Sequence, residues 1–276
     1  MKLGTLAAAD FAIVCVLFKS GAIALALLSL LALYTWLGGY LSLLKDGAIS
    51  IDKLPAYETT RLTTAKGLLV KDVQEATNID ISSLKLYLAP DDSLNATAYG
   101  CGCISINRGL LNNTDPVTLV AVLAHEISHI YTLDAEFNRM LFASITALVL
   151  ALSVASALSM GFLFILFLIL CCCFKTLRSW LGLFLFQGST KMVGGIFSLL
   201  QRLIVFIYQS INGLISRASE YRADKFSSSL GYGVQLAHFL SIAGPEPRQL
   251  TLTDVLYRSH PPTELRIYRL EQGSNE

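Results

Sequence analysis

Long apolar runs alternate along the chain with amphipathic segments, and each pattern predicts its own element. Leu3–Phe18 and Gly21–Leu44 are nearly unbroken apolar runs parted by Lys19 and Ser20. They read as a helical hairpin in a membrane, with Asp10 near an end or against a partner. A single span from about Gly21 is the other reading, because the first run barely covers about 30 Å of hydrocarbon. A cleaved signal peptide would need a shorter apolar core than the second run offers. From Ala56 to Thr77, Leu62, Ala65, Leu68, Leu69, Val73 and Ala76 recur at helical spacing and predict an amphipathic helix. Leu84 to Leu88 alternates like a strand, Pro90-Asp91-Asp92 is a turn, and Asn95 to Ile106 has the small and β-branched residues of two further short strands. Asp115-Pro116 then supplies an N-cap and a first-turn proline for a helix from Val117 to about Thr132.

Met140–Phe174 is apolar throughout and would extend about 50 Å as one straight helix, beyond the bilayer core. Met192–Ser216 is a second apolar region, interrupted by Gln201 and Arg202. If the polar segments on either side of this insertion build one site, the crossings between them must be even in number. Two crossings joined by a loop carrying Lys175, Arg178 and Lys191 satisfy that parity. Helical patterns follow from Arg217 to Leu230, with Gly231 as a stop, then around Val234 to Ile242 and from Thr263 to Leu270. The expected organisation is a transmembrane hairpin at 1–44, a water-facing domain formed by 45–139 and 217–276, and an inserted transmembrane region at 140–216.

Charge follows the same division. Residues 45–139 carry eight basic and twelve acidic side chains and residues 217–276 seven of each, whereas Met140–Ser216 holds only Lys175, Arg178, Lys191 and Arg202. With 54% hydrophobic and 15% charged residues the lipid bilayer is an expected partner. A net charge of +1, with no basic patch interleaved with aromatics, argues against nucleic acid. The six cysteines, at 15, 101, 103 and 171–173, do not form a disulfide framework. Cys101-Gly-Cys103 lacks the second pair that a zinc site of that type needs, and reads as small buried residues.

His125-Glu126-Ile127-Ser128-His129 falls on the helix opened by Asp115. A spacing of four stacks both imidazoles on one face, where they reach a single metal, and leaves Glu126 beside the open coordination position. Catalytic zinc takes three protein ligands. In Glu220-Tyr221-Arg222-Ala223-Asp224 one carboxylate can complete the set while the other, one helical turn away, accepts a hydrogen bond from a ligand histidine and fixes its tautomer.

With these segments in place the sequence resembles the HtpX-like membrane metallopeptidases, relatives of the CAAX prenyl protease and of a mitochondrial inner-membrane stress protease. The matching stretches are Asn95-Ala96-Thr97-Ala98-Tyr99-Gly100, the His125–His129 motif with its flanks, Ser216-Arg217 through Asp224, and Ser259-His260-Pro261-Pro262-Thr263-Glu264 with Arg266. They occur in the family's order and cover most of the chain. The resemblance implies a gluzincin site with His125, His129 and Glu220 on one zinc ion, Glu126 as general base and Asp224 on a ligand histidine. It assigns Asn95, Ala96, Thr97 and Ala98 to an edge strand that pairs with substrate backbone. It also places His260 near the site, where the side chain can donate to the oxyanion, with Arg266 holding that segment. Tyr99 and Cys101-Gly-Cys103 depart from the family's smaller or more polar residues, which bears on subsite preference.

The expected molecule is an α+β membrane protein: a mainly helical zincin-type metalloprotease domain with a small β-sheet and about four transmembrane helices. It acts on unfolded or membrane polypeptides, and the resemblance places it in a bacterial inner membrane with its site facing the cytoplasm. A CAAX-type prenyl-protein protease and a non-catalytic zinc-binding scaffold are the alternatives. A transporter would need buried paired charges in its spans, which are absent here apart from Asp10.

Overall fold

The computed structural model describes residues 21–100, 102–174, 180–243 and 260–273, together with residues 8 and 12. In chain order the elements are α1 (Gly21–Lys45), β1 (Ile49–Ser50), a 3-10 turn (Ile51–Lys53), α2 (Ala56–Thr77), β2 (Lys85–Ala89), β3 (Ala96–Gly100), β4 (Cys103–Asn107), α3 (Arg108–Asn113), α4 (Pro116–Tyr131), α5 (Asp134–Cys173), α6 (Trp180–Ser229), α7 (Gly233–Ile242) and α8 (Thr263–Gly273). Contacts divide the chain into two units, Met1–Met140 with Asn212–Glu276, and Leu141–Ile211.

In the first unit the strands form one sheet in the order β1-β2-β4-β3, with β2 and β4 parallel and the two outer pairings antiparallel. β4 lies between two neighbours, and Ile104, Ser105 and Ile106 are all buried there. On β2 the alternation leaves Leu86 and Leu88 buried and Lys85 exposed, as a strand with one buried face requires. Leu62, Leu69 and Val73 of α2 and Leu119 and Leu123 of α4 fill the same core. Each contributes about 1.5–3 kcal/mol of apolar burial. Between β4 and α3 the chain passes so close to the preceding turn that a Cβ on Gly109 would sit 2.0 Å from the Asp92 carbonyl oxygen. Only glycine fits there.

α4 starts as its sequence predicts, with the Asp115 carboxylate accepting from the amides of Val117 and Thr118 at 2.9 and 3.0 Å. It crosses α6 at close range: Ser227 Oγ donates to the Ala121 carbonyl at 2.9 Å, and Ala121, Ala124 and Ala223 are fully buried. At the other end of α4, Leu133 takes a left-handed φ of 54°, which turns the chain into α5.

The second unit is built from the apolar stretches of α5 and α6. Phe167 and Phe186 stack with ring centroids 4.6 Å apart, and the Gln201 amide donates to Ser153 Oγ at 2.8 Å and the Val149 carbonyl at 3.3 Å. Two helices among the described residues, Asp134–Cys173 and Gly182–Ser229, are long and apolar enough to cross a membrane, against the four or so expected. The first apolar run, with Asp10, Cys15 and Lys19, falls outside the described residues, as do Lys175 and Arg178. Lys191 lies inside α6 rather than in a loop. The polar Gly188-Ser189-Thr190 stretch is helical, and Ser189 and Thr190 satisfy their hydroxyls on the carbonyls of Phe186 and Gln187 one turn back, at 2.8 and 3.0 Å.

Candidate metal centre

His125 and His129 project one turn apart from α4, and their Nε2 atoms face each other at 3.3 Å. Glu220 enters from α6, with Oε2 3.5 Å from Nε2 of His125 and Oε1 3.7 Å from Nε2 of His129. One donor atom from each of the three residues lies within 4.8 Å of the others. The outer nitrogens are both engaged by acids: Nδ1 of His125 is 3.0 Å from Asp224 Oδ1, and Nδ1 of His129 is 3.1 Å from Asp134 Oδ2. An imidazole that gives its Nδ1 proton to a carboxylate presents the Nε2 lone pair on its opposite side. Two ring nitrogens and a carboxylate converge, a donor set that suits a divalent metal of the zinc type once His125 gives up the extra proton it holds in the metal-free protein.

Arginines hold both acids. Arg266, buried on α8, reaches Asp224 with Nε and Nη2 at 2.8 and 2.7 Å and Glu220 with Nη1 at 3.0 Å. It is therefore no surface arginine; it ties the C-terminal helix to two carboxylates of the site. Arg222 donates to both oxygens of Asp134, at 2.9 and 2.7 Å. Thr132 Oγ1 adds a third bond to Asp134 at 2.6 Å. His260, exposed over 63% of its side chain, brings Nδ1 to 3.0 Å from Glu220 Oε1.

These contacts fix the charges. Burial works hardest against protonating His125, yet its bonds to Asp224 and Glu220 outweigh that and push the imidazole up to about 9. Burial also opposes ionisation of Glu220 and Asp224, but His125, His260 and Arg266 hold Glu220 well below the usual carboxylate range, and His125 and Arg266 lower Asp224. Glu126 is different: burial raises it, only partly offset by the nearby histidines. Its Oε2 accepts from the Ala98 amide at 2.8 Å.

β3 is an edge strand of the sheet. Asn95 and Asn107 form a hydrogen-bonded pair, since the Asn107 amide donates to the Asn95 carbonyl at 3.0 Å. Pairing alternates along an antiparallel ladder, so Thr97, opposite Ser105, also faces β4. Ala96 and Ala98 are left pointing outward, and the Ala98 bond to Glu126 agrees with that. Of the four residues proposed for backbone pairing, Ala96 and Ala98 face away from β4, Thr97 faces β4, and Asn95 gives its carbonyl to Asn107 while its amide donates to the Ser93 carbonyl at 3.0 Å. Cys103 opens β4 opposite Lys85, and Cys101 lies outside the described residues.

Asp134 and Arg222 were not legible as site residues. Asp134 follows the helix stop at Leu133 and lies five residues from His129, so no helical spacing links the two.

A "Protease HtpX homolog" of Persephonella marina is 29% identical over 228 residues, covering 71% of this chain and 70% of the relative. The "Protease HtpX" of Sodalis glossinidius is 26% identical over 277 residues, covering 90% and 87%. A solved structure, that of S. mikatae Ste24p, matches with a TM-score of 0.50 at 18% identity, covering 97% of this chain and 62% of its own, and shows a shared fold. The description of Peptidase family M48 matches residues 69–274, a stretch that contains the facing histidines, Glu126, Glu220 and both arginine-held acids, and the chain belongs to that family.

Proposed function

We propose that this chain is a membrane-embedded, zinc-dependent endopeptidase of the HtpX type that cleaves unfolded or membrane polypeptides. The observation that carries the reading is the convergence of the two Nε2 atoms and the Glu220 carboxylate, with each histidine anchored from behind by its own acid. His125, His129 and Glu220 would hold the metal, which supplies Lewis-acid polarisation of the water and the scissile carbonyl when bound.

The chain's own groups account for the rest of the reaction. Substrate backbone adds to the outward edge of β3 at Ala96 and Ala98, a mode that reads main chain and tolerates varied side chains. Glu126 stands beside Ala98 and accepts the proton of the attacking water, then delivers it to the leaving nitrogen. Its buried, raised carboxyl is suited to that exchange near neutral pH. His260, beside Glu220, donates to the developing oxyanion. The two membrane-length helices anchor the enzyme, and the HtpX likeness supports a bacterial inner membrane with the site on the cytoplasmic face. The prenyl-protein protease alternative rests on a fold likeness at 18% identity, and a scaffold without activity has no need of Glu126.

Metal analysis and cleavage of an unfolded protein, run in parallel on the unaltered chain and on Glu126→Gln, test the proposal. The expected result is about one zinc per chain in both and cleavage by the unaltered chain alone. Undiminished cleavage by the variant would remove Glu126 from the mechanism.

A further inference from the structure

β3 has an open end and a closed one. Beyond Ala98 the register with β4 shifts before Gly100, and the Tyr99 carbonyl turns out of the ladder to accept from Arg139 Nη2 at 3.0 Å. Arg139 is itself fixed, its Nε donating to the Thr35 carbonyl of α1 at 3.1 Å. α1 closes over the same point with two glycines. A Cβ on Gly39 would lie 2.4 Å from the Tyr99 carbonyl oxygen, and one on Gly38 3.0 Å from Arg139 Cδ. Gly100, at φ +81°, passes so near Glu136 that its Cβ would meet Oε1 at 2.1 Å. The Tyr99 hydroxyl is tied to Asp46, just past α1. At the other end of the strand Ala96 is buried and Asn95 is exposed.

Resting on the edge-strand reading above, we infer that Arg139 and the Gly38-Gly39 pair of α1 form an end stop for the substrate strand. Glu126 marks the reacting position at Ala98, a single residue from the stop, whereas at the other end the strand emerges at the exposed Asn95. A substrate pairing antiparallel to β3, the commoner sense, has its N-terminal side toward Tyr99. Backbone recognition therefore ends within about two residues on the N-terminal side of the scissile bond and continues on the C-terminal side. Arg139 acts here as a positioning residue: it occupies the Tyr99 carbonyl that a longer substrate strand would otherwise use.

The test is a peptide series around one bond cut by the metal-loaded full chain in detergent, lengthened residue by residue from each end, with the cut bond verified by mass spectrometry. On the C-terminal side kcat/KM should rise by about three- to tenfold for each residue that adds a backbone hydrogen bond. On the N-terminal side it should be flat from the third residue outward. Arg139→Ala frees the Tyr99 carbonyl, so a third N-terminal residue should then raise kcat/KM at least threefold, while Arg139→Lys, which keeps a donor, should remain flat. Equal dependence on both sides in the unaltered enzyme, or a flat profile on the C-terminal side instead, overturns the inference even if Arg139→Ala does not fold. So does an Arg139→Ala profile identical to the unaltered one. Absence of any cleavage by zinc-loaded protein is a different failure, of the peptidase reading itself.

Discussion

Asp134 Oδ2 lies 3.1 Å from Nδ1 of His129, and the same carboxylate is clasped by Arg222. The aspartate stands behind His129 as Asp224 stands behind His125. Asp134→Asn should weaken zinc affinity roughly ten- to a hundredfold by removing the charge that fixes the imidazole tautomer. Competition with a chromophoric chelator measures it. Unchanged affinity would show that Asp134 serves the turn into α5 alone.

Glu220 and Asp224 share Arg266 but have different tasks. Glu220→Ala should abolish stoichiometric zinc, whereas Asp224→Ala should retain it with affinity lowered roughly ten- to a hundredfold. Zinc content after dialysis separates the two, and the reverse pattern would exchange the ligand assignment.

Removing Arg266 takes from two buried carboxylates the guanidinium that bridges them. Arg266→Gln should cost about 3–5 kcal/mol in metal-free protein and distinctly less once zinc is bound, because the ion neutralises the same carboxylates. Thermal unfolding with and without chelator reads the difference. Equal losses in both states would show that the guanidinium and the metal do not share a role.

Tyr232 donates to Asp72, and burial together with that bond pushes its phenol up to about 12. A group raised in the folded state stabilises below its unfolded pKa of about 10. That contribution is present below about pH 10 and fades between there and pH 12. Tyr232→Phe should be less stable at neutral pH and should flatten the alkaline limb of the stability curve; an unchanged limb would place the alkaline sensitivity elsewhere.

Orientation follows from where cysteines can be labelled. Cys172 and Cys173 are exposed at the end of α5, and Ser50 belongs to β1. On a background otherwise free of cysteine, an impermeant maleimide applied to intact cells should label Cys172 or Cys173 and leave Ser50→Cys untouched. The opposite pattern would invert the topology, a live question because the positive-inside count favours the catalytic side only slightly.

How much of this was legible depended on whether the signal was local. The α4 cap, the α2 stripe and the pairing of His125 with His129 are set by neighbours within a turn or two, so spacing revealed them. Glu220 was visible as one of a pair of acids, and resemblance decided which acid binds. Contacts made across the fold were another matter. Arg266 reads equally well as a surface residue until α8 is seen against α6, and the Asp134 contact depends on one left-handed residue, Leu133, that no composition rule picks out. Helix ends near the membrane were also misplaced, since intrahelical hydroxyl bonds at Ser189 and Thr190 disguise helix as loop.

The small residues where α4 meets α6 act as a gauge block for the metal. His125 is four residues from Ala121, and Glu220 seven from Ser227, whose hydroxyl sits on the Ala121 carbonyl. The separation of the two helices there sets how far Glu220 stands from the histidines. An added methyl at Ala121 or Ala223 would leave every ligand chemically intact and still widen the seat. A second methyl, as in Ala→Val, would widen it further, and no comparison of ligand residues alone would reveal the change.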